Sequence, residues 1–292
     1  ADPQSRTALF NLGLLAERRE DAAQARDFYR QVLALNPRDA GALVASVRVM
    51  GSGGESQERA LATLEAVRRD DPRSVSARLA LVARHLQAAR YAQALTVAVE
   101  AEKIAPLNPD TLTTLSRAQL LNGFDGEALK SARRAVELGP KSVPAHRILA
   151  VVERALGDLA ASMGSLEKAL QLSEDDFVTL IQLAQTALER GLADRAEEFA
   201  ARAMRARPED SVAALMLRGQ ARLLSGKVEA AVQDLQRVFA ERPSASALVE
   251  LARGEWSSGR QNEAIDRLER WVTAHPTDAG VSEALGDAYA AK

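Results

Sequence analysis

The sequence contains no cysteine among its 292 residues. Disulfide bonds, thiolate metal sites and a cysteine nucleophile are therefore excluded, while the redox compartment stays open. Histidine is also scarce, since only His85, His146 and His275 occur and they lie far apart along the chain. We interpret them as ordinary, partly exposed side chains, because an acid–base or metal site needs several groups that converge.

An excess of charge of one sign is missing as well. The 38 basic and 40 acidic residues are interspersed and give a formal net charge of -2. Nucleic acids and anionic membranes attract strongly basic surfaces, so we expect neither as a partner. No apolar run approaches the roughly 18 residues that span a bilayer, which argues against direct membrane insertion of this segment.

Lysine is rare, because only six of the basic residues are lysine, and alanine is abundant. This composition suggests a GC-rich, bacterial coding sequence. No cofactor is expected, since the glycine-rich "GSGGES" at 51–56 lacks the Gly-Lys-Ser/Thr ending of a phosphate-binding loop and is better interpreted as a lengthened turn. Trp256 and Trp271 have apolar neighbours at helical positions, which favours core packing.

What the sequence does contain is a regular period. Ser, Asp and Asn side chains accept hydrogen bonds from the free N–H groups at the start of a helix. Residues of these types recur at intervals of 34 residues, and once of 35, and are Ser5, Asp39, Ser74, Asn108, Ser142, Asp176, Asp210, Ser244 and Asp278. We expect each of them to cap a helix.

Two further series share this period. Small residues, which let two helices approach closely, are Ala25, Ala60, Ala94, Ala128, Ser162, Ala196, Ala231 and Ala264. Glycines that can end a helix in the left-handed conformation are Gly123, Gly157, Gly191, Gly226 and Gly259. Apolar residues between these marks keep helical spacing, so each unit is predicted to be a helix, a tight turn and a second helix, without strands.

This pattern resembles the tetratricopeptide repeat, a 34-residue helical hairpin with the signature W-x2-L-G-x2-Y, then A-x3-F, then P. The segments that carry the resemblance best are "LFNLGLLA" at 9–16, "ARDFYRQVLALNP" at 25–37 and "ALGDAY" at 284–289. The chain departs from the signature in lacking its Trp, in carrying mostly Ala, Gln, Glu or Arg in place of its Tyr, and in having Ser162 in place of an alanine.

The resemblance implies an all-α fold, a right-handed α-solenoid (superhelix) of about eight 34-residue helix-turn-helix units plus one extra helix. We expect a single array over residues 1–292, with units at 6–39, 40–74, 75–108, 109–142, 143–176, 177–210, 211–244 and 245–278 and a partial unit at 279–292. Because both ends cut the array in phase with the repeat, we expect a fragment of a longer protein, or end-to-end self-association.

In this family the first helix of each unit lines a concave groove, which predicts where a partner binds. Matching repeat positions give the candidate binding residues Phe10, Leu14, Leu79, Thr113, Arg117, Arg147, Val151, Ile181, Gln185, Met216, Gln220 and Arg253. The lysine and asparagine set with which chaperone-binding members hold a terminal carboxylate is missing at these positions, as is the asparagine ladder of the sugar-transferase subfamily.

These observations favour a non-catalytic protein–protein interaction scaffold whose partner is a protein or an extended peptide in the groove. The chain is similar to alanine- and arginine-rich arrays of bacterial envelope machinery, including exopolysaccharide export and PEP-CTERM sorting systems, which favours a periplasmic over a cytoplasmic location. The alternative is a substrate-recruiting or regulatory region of a larger enzyme whose catalytic domain lies outside this segment. Direct polysaccharide binding is less favoured, because Phe10 is the one aromatic residue among those predicted to line the groove.

Overall fold

A computed structural model describes residues 5–50 and 54–292. Over these residues the chain forms seventeen α-helices and one 3₁₀ turn, and no strand. The predicted all-α fold of eight helical hairpins and one extra helix is confirmed. The chain divides into two compact units, Ala1–Val152 and Glu153–Lys292. The continuous array over 1–292 stays a prediction, and the two units are described in turn.

The first unit contains four hairpins. Its helices are α1 (Arg6–Arg18), α2 (Ala22–Leu35), α3 (Ala40–Arg48), α4 (Gly54–Asp70), α5 (Val75–Gln87), α6 (Tyr91–Ile104), α7 (Pro109–Leu120) and α8 (Asp125–Leu138). Helix α9 (Val143–Ala155) contains the boundary between the units. Consecutive helices pack against each other, and α3, α5 and α7 also contact in sequence, so the first helices of neighbouring hairpins share one face of the unit.

The second unit continues the same alternation. Its helices are α10 (Leu159–Leu172), α11 (Phe177–Glu189), α12 (Ala193–Ala206), α13 (Ser211–Leu224), α14 (Val228–Glu241), α15 (Ala245–Ser257), α16 (Gln261–Ala274) and α17 (Ala279–Ala291). A 3₁₀ turn, Pro208–Asp210, precedes α13. First helices α11, α13, α15 and α17 contact in sequence, as their counterparts do in the first unit.

Eight of the nine predicted caps accept a hydrogen bond from the first turn of their helix. Ser5, for example, accepts from Ala8 N at 3.2 Å and Asp176 from Thr179 N at 2.8 Å. Asp210 is the exception, because it lies in the 3₁₀ turn, has no side-chain capping bond and pairs with Arg207 at 3.5 Å. The prediction for Asp210 is therefore wrong, since Pro208 begins that extra turn ahead of α13.

The small-residue series lies where the helices of each hairpin meet. All eight of its members are at most 1% exposed, which leaves no room for a larger side chain. The five predicted glycines adopt φ between 72° and 83° and end the first helix of their hairpins. Glu20 and Ala89 take the same left-handed conformation, at φ 61° and 54°, in two turns that lack glycine. Residues 51–53 of the predicted turn at 51–56 lie outside the described residues, and the prediction is wrong for 54–56, because α4 begins at Gly54.

Polar bonds join the two helices of several hairpins at the position where the repeat signature has its Tyr. The two residues of each pair are twelve apart, and the pairs are Gln119 with Ser131, Glu153 with Ser165, Arg222 with Asp234 and Glu255 with Arg267. Their donor–acceptor distances range from 2.7 to 2.9 Å. These bonds explain the departure from the signature, because a cross-hairpin hydrogen bond replaces the packing of an aromatic ring.

Candidate binding groove

A pocket of about 230 Å³ opens on the first helices of the first unit. It is lined by Leu79, Val82, Ala83 and Leu86 of α5, by Asp110, Thr113, Thr114 and Arg117 of α7, and by Pro144 of α9. Three of the candidate residues predicted from the sequence, Leu79, Thr113 and Arg117, therefore meet in one place.

Helical spacing places these side chains on one face. On α7 the lining positions 110, 113, 114 and 117 follow the spacing i, i+3, i+4 and i+7, and on α5 the positions 79, 82, 83 and 86 do the same. Val82, Leu86, Asp110, Thr114 and Pro144 were not predicted from the sequence. Extending the predicted positions by one helical turn would have found Val82, Asp110 and Thr114.

Arg117 is a charged group of this pocket that has no partner among the described residues. Its side chain makes no hydrogen bond or ion pair with any residue of the described ranges 5–50 and 54–292, and it is exposed at the rim of the pocket. Loss of hydration lowers the pKa of the Arg117 guanidinium, and the positive charge of Arg147 lowers it further. Two cations thus stand near each other, and a negative group placed beside Arg117 would be stabilised.

Two more polar groups of the pocket lack a bonding partner among the described residues. The hydroxyl oxygen of Thr113 is buried and has no hydrogen-bond partner within the described part of the chain. The carboxylate of Asp110 is exposed in the first turn of α7 and makes no ion pair with any described residue. By contrast, the hydroxyl of Thr114 donates to the carbonyl oxygen of Asp110 at 2.8 Å.

The other candidates of the first unit lie outside this pocket. Phe10 is partly buried and its ring lies 5.7 Å from that of Tyr29, so much of its surface serves the core. Leu14 is half-buried on α1. Arg147 is half-buried on α9, and Val151 on the same helix packs against a core cluster that includes Ala128.

A second pocket, of about 300 Å³, opens among α15, α16 and α17. It contains the candidate Arg253, whose guanidinium pairs with Glu250 at 3.3 Å. Its other lining residues were not predicted as a site and are Val249, Ala252, Trp256, Ala264, Leu268, Ala284, Asp287, Ala288 and Ala291. Trp256 is half-buried, so it combines the predicted core packing with a surface that faces this pocket.

The remaining candidates of the second unit are dispersed. Met216 packs against the core residues Leu215 and Val238, and Gln220 donates to Glu250 at 3.1 Å. Ile181 is half-buried and Gln185 is exposed, both on α11.

Each of the three histidines has its own local surroundings. His85 and His146 are each 9% exposed, which corrects the expectation that they are partly exposed. His146 donates through Nε2 to the carbonyl of Pro140 at 2.9 Å, and the ring of His275 stacks on Trp271 with a centroid separation of 4.2 Å. No group of three or more potential metal ligands occurs in the ranges 5–50 and 54–292. Within the same ranges, every helix is too short or too polar to cross a bilayer.

Family models described as tetratricopeptide repeat match four segments that together cover more than half of the chain. One model matches residues 7–39, and another matches residues 114–177, 181–246 and 216–279. Among curated proteins, none matches the sequence significantly.

Solved structures of low sequence identity share the fold. A chain of the APC/C hetero-tetramer Cut9–Hcn1 is 14% identical with a TM-score of 0.74 over 91% of this chain and 52% of that chain. The type IV pilus biogenesis factor PilW is 18% identical with a TM-score of 0.66 over 72% of this chain and 98% of its own. A tetratricopeptide repeat protein from Parabacteroides merdae is 15% identical with a TM-score of 0.56 over 98% of this chain and 99% of its own. This chain thus spans about half of the length of the Cut9–Hcn1 chain that it matches.

Proposed function

Because the chain belongs to the tetratricopeptide repeat family, we propose that it is a scaffold without chemistry of its own that holds an extended segment of a partner protein against its first helices. Tetratricopeptide repeat proteins are in general non-catalytic scaffolds, and the fold supports protein–protein interaction. The proposal goes beyond this general role of the family, since it assigns the partner to the groove of the first unit.

The pocket on α5, α7 and α9 is the observation that carries this proposal. Its floor and walls include the apolar side chains of Leu79, Val82 and Leu86, which can receive apolar groups of a partner. Its rim carries Arg117, whose charge no described residue balances. A surface that combines apolar walls with an unpartnered guanidinium is suited to recognising a protein segment.

The cellular setting of the scaffold is a further part of the proposal. We place it in a bacterial envelope, as part of a larger assembly or export protein, on the basis of its resemblance to alanine- and arginine-rich envelope arrays. The likeness to PilW supports the fold alone at 18% identity. End-to-end self-association remains part of the proposal for the same array, and sedimentation at several protein concentrations would test it.

Affinity capture with a cross-linker at a defined position tests the groove. A photoreactive amino acid replaces Ala83, which is exposed and lines the pocket, or Lys130, which is exposed on the second helix α8. Each chain is used to capture partners from separate envelope and cytoplasmic fractions of the organism that encodes it. We expect a protein that cross-links at position 83, does not cross-link at 130 and comes from the envelope fraction.

A charge-reversed chain with Arg117→Glu and Arg147→Glu is the companion variant. Arg117 is exposed and Arg147 is half-buried, both on first helices, so we expect little change in the helical circular dichroism while the cross-linked partner is lost. A partner that cross-links equally at 130, or that is retained by the variant, would move the binding surface away from this groove. A cytoplasmic partner at position 83 would contradict the envelope placement alone.

A further inference from the structure

The pocket of the first unit contains two charges of opposite sign, on Asp110 and Arg117, that form no ion pair with any residue the structure describes. We propose that it recognises an internal, extended protein segment in the polyproline II conformation, with an acidic residue against Arg117, a basic residue three positions away against Asp110, and an apolar residue between them. This inference rests on the proposed function, because it names the chemistry of the segment that the groove holds.

The spacing of the two charges sets the length of the segment. Asp110 and Arg117 lie on the same face of α7, two helical turns apart, which corresponds to about 10 Å along the helix axis. A polyproline II segment advances about 3.1 Å per residue with three residues per turn. Its residues i and i+3 therefore point to the same side about 9 Å apart, which matches the separation of the two protein charges.

A fully extended β-strand fits this arrangement less well. Its side chains alternate between two sides, so residues three apart point in opposite directions. Residues two or four apart point the same way but lie about 7 or 13 Å apart, which differs from the 10 Å separation on α7. The segment also gains from polyproline II because that conformation leaves its backbone groups free to bond with side chains of the groove.

Polar and apolar groups between the two charges complete the site. The side chain of Thr113 lines the pocket one helical turn from both Asp110 and Arg117. Leu79 and Leu86 of α5 are partly exposed, form the opposite wall and receive the apolar side chain.

An internal segment is favoured over a chain terminus because the site is charged at both ends. A C-terminal carboxylate could pair with Arg117, but it supplies no positive charge for Asp110. A basic side chain elsewhere in the segment would still be needed at Asp110. The positive charge of Arg147 near Arg117 further favours an acidic group at that end.

Two blocked peptides of reversed charge order are the probes. The first is acetyl-Gly-Pro-Glu-Leu-Pro-Lys-Gly-amide and the second is acetyl-Gly-Pro-Lys-Leu-Pro-Glu-Gly-amide, whose proline residues favour polyproline II. Each is titrated into the full 292-residue chain carrying ¹³C-labelled threonine and leucine methyl groups, and dissociation constants are taken from the shift of the Thr113 methyl resonance. Each order pairs both charges in only one chain direction, and the two directions place the leucine at opposite ends of the apolar wall. We therefore expect one order to bind about tenfold more tightly than the other.

Variants of the two charged residues test the pairing. Arg117→Gln should weaken the preferred peptide about tenfold, and Asp110→Asn, which preserves the start of α7, should weaken it by a smaller factor. The double variant Asp110→Lys, Arg117→Glu should reverse the preferred order. Arg134→Gln is the matched control, because Arg134 is exposed on the second helix α8 and lies outside the pocket, and the affinity of this variant for both peptides should equal that of the parent chain. Circular dichroism of each variant shows that it is folded.

Equal binding of the two peptides, failure of both to bind, or an effect of Arg134→Gln as large as that of Arg117→Gln would each overturn the inference. Tighter binding of acetyl-Gly-Pro-Gln-Leu-Pro-Gln with a free carboxylate would also overturn it, in favour of a chain terminus. If a cellular partner cross-links at position 83 while the charge order has no effect, the inference fails and the proposed function stands. If the partner cross-links at 130, the proposed function itself fails.

Discussion

Two hairpins, α1–α2 and α13–α14, each have a glycine at the same position of the first helix. The side chain that packs against this glycine differs between them. In the first, a Cβ on Gly13 would overlap Cε1 of the Tyr29 ring, and in the other a Cβ on Gly219 would lie 2.8 Å from Cγ of Leu235. The aromatic residue or leucine follows its glycine by sixteen positions in both. One hairpin therefore closes around a rigid ring and the other around an aliphatic side chain that can rotate.

The two hairpins also differ in where their charged groups lie. In the first, the Tyr29 hydroxyl and the Arg48 guanidinium both donate to Glu17, near the surface. In the other, Arg218 and Arg222 both donate to Asp234, which is 4% exposed, at distances of 2.6 to 2.8 Å. The comparison teaches that the repeat fixes the path of the backbone and the small residues, while the interior of each hairpin is free to be aromatic or ionic.

The largest effect is expected from removing the acid of the ionic hairpin. Asp234→Ala leaves Arg218 without its carboxylate and Arg222 with Glu197 alone, so the free energy of unfolding should fall by about 3–5 kcal/mol. Asp27→Ala is the control, because the ion pair of Asp27 with Arg30 is exposed. Its loss should lower the free energy of unfolding by less than about 0.5 kcal/mol. Urea unfolding followed by circular dichroism measures both, and equal losses would contradict the buried role of Asp234.

The next effect is steric and belongs to the aromatic hairpin. Gly13→Ala forces a methyl group into the Tyr29 ring, and we expect a loss of about 1–3 kcal/mol in unfolding free energy despite the better helix propensity of alanine. Gly164→Ala in α10 is the matched control, since nothing lies within 4 Å of its Cβ, and it should stabilise the chain by about 0.5–1 kcal/mol. A stable Gly13→Ala variant would mean that the ring is not held rigidly.

Both hairpins should weaken in acid, to a smaller extent. Burial raises the pKa of Glu17, but hydrogen bonds from Arg48 and Tyr29 outweigh it, and the pKa lies below its ordinary value of 4.5. For Glu197 the bonds from Lys227 and Arg222 outweigh burial in the same way, so that its pKa is also lowered. Each carboxylate therefore stabilises the folded chain above about pH 4.5, and this stabilisation is lost as the pH falls further.

The measurement compares unfolding free energies of the parent chain with Glu17→Gln and Glu197→Gln between pH 7 and pH 3. At pH 7 each variant should be less stable by about 1 kcal/mol, because it lacks a carboxylate that accepts charged hydrogen bonds. The gap should narrow below about pH 4.5 as the parent chain takes up protons. A gap of constant size down to pH 3 would show that protonation of these carboxylates does not affect folding.

The smallest effect is expected at the second glycine. Gly219→Ala meets Leu235, whose side chain can change rotamer, and gains the helix propensity of alanine. The two contributions oppose each other, so the unfolding free energy should change by about 0.5 kcal/mol or less. The same urea titration that measures Gly13→Ala measures this variant, and equal losses at the two sites would remove the distinction between the two hairpins.

The order of these hairpins could be predicted from local sequence, because caps, turn glycines and small residues act within one or two helical turns. Asp210 shows where local reasoning failed, since Pro208 adds a 3₁₀ turn that the period does not reveal. The ion pairs of Asp234 could not be predicted either. Its partners lie twelve and sixteen positions away on a facing helix, and which of several arginines reaches it depends on packing.

The candidate site was also predicted only in part, because residues of different helices meet through packing. Repeat positions identified Leu79, Thr113 and Arg117 as residues of one surface, and the structure places them in one pocket. Asp110 was not predicted as a binding residue. It lies on the same face of α7 as Arg117, and the pocket that contains both residues forms when α5, α7 and α9 pack together. That these residues bind a partner stays a proposal.

The pattern of helix contacts has a consequence for how the chain is made. Within each unit, extensive contacts join helices that are adjacent in the chain or separated by one helix, so contacting residues are close in sequence. Chains with such local contacts fold quickly, and domains begin to fold while synthesis continues. Each hairpin can therefore form on the ribosome soon after its second helix emerges, and a gene that gains or loses one whole repeat still encodes a chain in which every remaining hairpin has neighbours to pack against.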